Sequence, residues 1–185
     1  MCQSPVSARP DGASSQPPGS VQRPRQSWGH AGARDDALRC LLDFAAVELS
    51  VSQALAVPVE RAFDTMADAR EEVRWNDKVS RSDLLSEEPI GLGTRFETVN
   101  RGQTYEATIT TFDRPSRLVF EVTGKQMDIT TTFTFVSEQH GSAVRGVFDF
   151  RPKGLLKVMA PLMRPMIARD LPKQMAAFAA QILGG

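Results

Sequence analysis

The stretch 154-GLLKVMAPLMRPMIARDLPKQMAAFAAQI-182 decides how the rest of the chain must be arranged. Leu155, Met159, Leu162 and Met166 recur at i, i+4, i+7 and i+11, and Leu171, Met175, Phe178 and Ile182 repeat the spacing. That period is the signature of a helix with one buried stripe. At roughly 100° per residue the two sets are not collinear, and the apolar face turns by on the order of a third of a circle near Asp170-Leu171-Pro172. Pro161, Pro165 and Pro172 share one face, opposite the stripe in the first half. Each proline leaves a carbonyl unpaired, so a water-facing row of them predicts one long, interrupted helix that curves over an apolar surface.

The surface it covers is legible upstream. From Val47 the pattern alternates with period two, and Val47, Leu49 and Val51 predict a first strand over 47–55. Pro58 opens a short helix over Val59–Met66, and a second helical or irregular segment runs from Arg70 to Trp75. Six further strands are predicted at about 79–87, 93–100, 103–113, 116–123, 127–137 and 142–151, separated by short turns such as Asn100-Arg101-Gly102 and Gln139-His140-Gly141. Short turns make neighbours pair as an antiparallel meander. Tyr105, Ala107, Ile109, Leu118, Phe120, Val122, Met127, Ile129, Phe133, Phe135, Val144, Phe148 and Phe150 fall on one face, with charged or hydroxylated residues between them. A sheet with one wet and one oily face needs a cover. The closing helix is the element long and apolar enough, so the fold class is α+β in the order β-α-α-β6-α, a curved seven-stranded antiparallel sheet around a long C-terminal helix.

With these residues in place, the chain resembles the polyketide cyclase/dehydrase and lipid-transport branch of the START-like (SRPBCC, Bet v 1-like) superfamily. The matching stretches are Val57-Pro58-Val59-Glu60-Arg61-Ala62-Phe63-Asp64, the Trp75 after the second helical segment, Pro89-Ile90-Gly91-Leu92-Gly93-Thr94-Arg95-Phe96, and Pro152-Lys153-Gly154-Leu155-Leu156 running into Ala160-Pro161-Leu162-Met163. The likeness spans about residues 47–183. It implies a helix-grip fold with a deep apolar cavity between sheet and helix, used for lipids, polyketides, hormones or other hydrophobic molecules. Many members are not enzymes.

Residue chemistry narrows the options. His30 falls in the N-terminal tail and His140 in a hairpin turn, and the cysteines are Cys2 and Cys40, so no zinc or nonhaem-iron ligand set is expected and no cofactor. Gly91-Leu92-Gly93 is too short for a dinucleotide fingerprint and reads as a turn. Glu121, Asp128 and Asp149 alternate with the apolar set, so they are expected to face outward and pair across strands with Arg117 or Arg145. The candidate cavity residues are Trp75, Phe96, Tyr105, Ile109, Phe120, Ile129, Thr131, Phe133, Phe148, Met159, Met163 and Met166. Tyr105 and Thr131 are polar groups in apolar rows, the kind of group that orients a guest. The methionines offer an adaptable apolar lining. Core packing is the ordinary alternative for each.

Composition sets the outer limits. Lysine plus arginine and aspartate plus glutamate both total 22, and a net charge of zero argues against nucleic acid as the main partner. There is no apolar run of membrane-spanning length and no basic-then-apolar leader, so the expected location is cytoplasmic, without stable membrane insertion. Residues 1–34 are rich in Pro, Ser, Gly, Gln and Arg and are expected to be disordered, with a short helix over Ala37–Phe44; translation beginning near Val47 is the alternative. The chain thus divides into a tail, 1–45, and one domain, 46–185. The expected function is binding, transport or sequestration of a hydrophobic small molecule such as a lipid or polyketide. One rival is a cyclase/aromatase or dehydratase on polyketide-like substrates, with Tyr105 or Arg95 polarising a carbonyl in a shape-enforced near-attack geometry. The other is a protein–protein interaction module.

Overall fold

A computed structural model describes residues 46–184. The expected tail and its short helix, with Cys2, Cys40 and His30, lie outside these residues. Seven strands, β1 (Val47–Leu55), β2 (Val79–Leu84), β3 (Arg95–Asn100), β4 (Gln103–Asp113), β5 (Arg117–Gly124), β6 (Met127–Glu138) and β7 (Gly141–Pro152), form one sheet. Their spatial order is β1-β7-β6-β5-β4-β3-β2, antiparallel throughout. This is the expected meander, closed on one side by the first strand pairing with the last from Val47↔Phe150 to Leu55↔Ser142.

Irregularities bend the sheet. The β4–β5 register shifts between Ile109 and Thr111, and the β2–β3 register between Val79 and Arg81. An extra residue in one strand increases twist and re-aims the side chains beyond it. In β4 the result is that Phe112, out of phase with Tyr105, Ala107 and Ile109, packs edge-on against Phe63 with ring centroids 5.1 Å apart.

Helix α1 (Val59–Ala67) fills that end of the bowl. Val59, Ala62, Phe63 and Met66 are its buried face, at the i, i+3, i+4, i+7 spacing the sequence implies. A 3₁₀ helix follows (Ala69–Arg74), its first turn closed by the Asp68 carboxylate accepting from the Arg70 N–H at 3.1 Å. Helix α2 (Leu156–Gly184) then runs unbroken across the sheet, with Pro161, Pro165 and Pro172 inside it and all three exposed.

The phase of α2 corrects the expectation for its first half. Leu155 is 84% and Leu162 74% exposed, and Met159 and Met166 are about half exposed, Met166 still reaching the space beneath the helix. The inward row is Leu156, Ala160, Met163, Ile167, Leu171, Met175, Phe178 and Ile182, in one line with no turn at Asp170. Almost every residue in LLKVMAPLMRPMIA is apolar, so periodicity alone left two phases open. The one the fold adopts places Ala160, with Leu171, against Val47 and Phe150. The larger core joins α1, the sheet and the end of α2 around Phe63, Phe96, Leu118 and Phe178.

Candidate ligand cavity

Between the sheet, α1, the 3₁₀ helix and α2 lies a partly enclosed cavity of about 400 Å³. Its floor is the inner face of the sheet: Tyr105 and Ala107 from β4, Phe120 and Val122 from β5, Ile129, Thr131 and Phe133 from β6, Phe148 and Phe150 from β7. Met163, Met166, Ile167 and Met175 from α2 close it above. Nine of the twelve expected cavity residues therefore stand on its wall: Trp75, Tyr105, Phe120, Ile129, Thr131, Phe133, Phe148, Met163 and Met166.

Three do not. Phe96 and Ile109 face inward but are packed solid in the main core, at 0% and 1% exposure, because α1 covers the sheet at that end. Met159 lies on the outer side of α2 through the phase correction above. Arg95 is excluded from carbonyl polarisation: its guanidinium reaches Glu106 on the neighbouring strand at 2.8 Å, on the solvent side of the sheet. The outward carboxylates find other partners than expected. Asp149 binds Arg151 at 2.6 Å and Asp128 binds Lys153 at 2.6 Å, since the register sets Thr130 and Glu48, and no arginine, opposite Asp149. His140 is an exposed turn residue. Among the described residues no group of three metal-ligating side chains gathers, and no helix is long and apolar enough to cross a membrane.

Glycines make room for the lining. Opposite Tyr105 stands Gly124, where a Cβ would sit 2.5 Å from two ring carbons. Gly146 likewise accommodates the Phe133 and Phe148 rings, which meet edge-on at 5.7 Å. Burial pushes the Tyr105 phenol above its ordinary pKa, with the Arg101 charge opposing.

The polar groups of the wall gather around the 3₁₀ helix and the start of β2, where sequence reading had picked only Trp75. Glu72 and Asn76 form one unit: Asn76 Nδ2 donates to Glu72 Oε1 at 2.8 Å, the Asn76 N–H to the Glu72 carbonyl at 2.9 Å, and Asn76 Oδ1 accepts from the Lys78 N–H at 3.2 Å. Burial raises the Glu72 pKa, the Asn76 bond working against it. Trp75 packs edge-on against Phe178 at 5.5 Å, and its buried indole N–H has no acceptor among the described residues. Across the opening, Asp170 of α2 accepts from Lys78 Nζ at 2.6 Å and from Arg101 at 3.0 Å, and chiefly the Lys78 bond holds its carboxyl below the usual range. Lys78, Arg101 and Asp170 all line the cavity.

The family described as "Polyketide cyclase / dehydrase and lipid transport" matches residues 46–182, nearly the whole described chain. Solved structures agree in fold. A START superfamily protein from Mycobacterium smegmatis superposes with a TM-score of 0.60 at 14% identity, over 75% of this chain and 97% of that one. Ara h 8.0201 gives 0.57 at 12% identity, over 76% and 99%. The di-domain ARO/CYC StfQ from the steffimycin biosynthetic pathway gives 0.62 at 14% identity, over 84% of this chain and 62% of that one. No curated protein matches the chain in sequence.

Proposed function

Because the chain belongs to the polyketide cyclase/dehydrase and lipid-transport family, we propose that it binds a hydrophobic small molecule, of lipid or polyketide type, in the cavity beneath α2. The observation that carries this reading is the cavity itself, a space of about 400 Å³ whose inner surface is mostly apolar, from aromatic and methionine side chains, with polar side chains of the 3₁₀ helix, the strands and α2 set among them. An apolar pocket with sparse convergent polar groups is the usual form of a small-molecule site. Met163, inward on α2, gives the test. Met163→Trp puts a larger side chain into the space. Native mass spectrometry and dye displacement should show an apolar guest bound by the wild type and lost from the variant. A wild type that takes up no apolar probe, with Met163→Trp indistinguishable from it, would end the proposal.

A second reading, cyclase- or dehydratase-like chemistry, is favoured by one observation: the Tyr105 phenol lies on the cavity wall with no protein partner among the described residues. The similarity to an ARO/CYC protein is consistent with it. Tyr105 would hydrogen-bond a substrate carbonyl while the cavity holds the chain folded. Turnover of a polyketide-like substrate abolished in Tyr105→Phe, with binding retained, would identify the enzyme.

A further inference from the structure

Resting on the cavity reading above, we infer that Glu72 is a hydrogen-bond donor to the guest, and that the guest is an amphiphile whose polar end is an uncharged acceptor such as a ketone, ester or other carbonyl. The geometry around Glu72 fixes its two oxygens to different roles. Asn76 is almost fully buried, and its Oδ1 is committed to the Lys78 N–H, so its Nδ2 is the atom that faces Glu72. Glu72 Oε1 is therefore the accepting oxygen. Oε2 has no partner among the described residues, and the side chain is part of the cavity wall.

No cation reaches Glu72 among the described residues, and the two on the same wall, Lys78 and Arg101, are both engaged by Asp170. An unpaired carboxylate facing an apolar space is costly, whereas the neutral acid is not. In the neutral form Oε1 accepts from Asn76 and Oε2–H is free to donate. Trp75 stands beside it in the wall, but its indole N–H is fully buried, so the donor open to a guest is that of Glu72. The unmet demand of this end of the cavity is thus for acceptors. A cationic guest is disfavoured, because the other two carboxylates of the wall are already paired, Asp170 with Lys78 and Arg101 and Asp68 with Arg70.

The test uses the full chain and three probes that share one undecyl chain: undecyl methyl ketone, dodecylamine and dodecanoic acid, titrated calorimetrically from about pH 5 to about pH 9. The ketone should bind best, and its affinity should fall as pH rises and Glu72 ionises. Glu72→Gln keeps both the acceptor and the donor and should bind the ketone without that pH dependence. Glu72→Ala should lose about 10-fold in ketone affinity, the scale of one hydrogen bond. Best binding of the amine with affinity rising with pH, or of the acid with no response to either Glu72 variant, would overturn the inference. So would ketone affinity unchanged in Glu72→Ala. No binding of any of the three by the wild type would instead remove the cavity reading beneath it, so the two failures are distinct.

Discussion

Gly124 is where a single missing methyl group sets the shape of the cavity. A Cβ there would collide with Tyr105 Cδ1 and Cε1 at 2.5 Å and with the Met127 carbonyl at 2.9 Å. The ring can swing aside, but only off the wall that β5 now provides. Gly124→Ala should therefore cost about 1–3 kcal/mol in urea unfolding and alter ligand affinity, while Gly91→Ala, with open space around it, should change neither. Glu72 makes a separate prediction in pH. Its folded-state pKa lies above the ordinary 4.5, so the folded chain holds a proton that the unfolded chain has released. Its contribution to stability is intact below about 4.5 and is lost as pH rises through the folded value. Thermal melts should show Glu72→Gln gaining on the wild type as pH rises, with the gap levelling once Glu72 is ionised. Sequence gave no hint of this. The segment from Arg70 to Trp75 was legible only as helical or irregular, and it is the tighter 3₁₀ winding that turns Glu72 inward while Glu71 pairs with Arg74.

At the scale of elements, legibility followed the contrast between neighbouring residues. The strands alternate sharply between apolar and polar, so β1, β4 and β6 lie within a residue of where period two places them. The last two turns of α2 were equally clear, because Phe178 stands among alanines at the spacing that Met175 and Ile182 share. Its first half lacked that contrast, and the phase came out one residue away from Leu155, Met159, Leu162 and Met166. The corrected phase separates two substitutions of similar chemistry. Phe178 is wholly buried in the main core and against Trp75, so Phe178→Ala should cost about 3–5 kcal/mol in chemical denaturation. Leu162 is mostly exposed, and Leu162→Ser should stay within about 0.5 kcal/mol. Equal losses at both sites would restore the first phase.

For the whole molecule the question is what holds a long helix over a hollow. The end of α2 is anchored by Met175, Phe178 and Ile182 in the main core, and its start by Ala160 against β1 and β7. Over the cavity Ile167 and Leu171 pack toward Val47 and Phe150, on the β1–β7 side. There the connection to the far side of the sheet is polar: Asp170 on α2 held by Lys78 before β2 and by Arg101 in the β3–β4 turn, partners far apart in sequence and so invisible to any local pattern. Arg101 adopts a positive φ of 50°, and its N–H donates to the Lys78 carbonyl at 2.8 Å, which fixes the two cations side by side. Removing the carboxylate should free α2 above the cavity while leaving both anchored ends in place. Asp170→Asn is thus expected to speed release of a bound apolar dye and raise amide exchange near Ile167–Leu171, with little change in exchange around Phe178. Because the Asp170 pKa lies below its ordinary 3.8, the wild-type tie is intact above that value and fails only as pH falls through the lowered one. Dye release from the wild type should therefore accelerate at acid pH, and from Asp170→Asn it should not. Release that responds to acid equally in both would place the gate elsewhere.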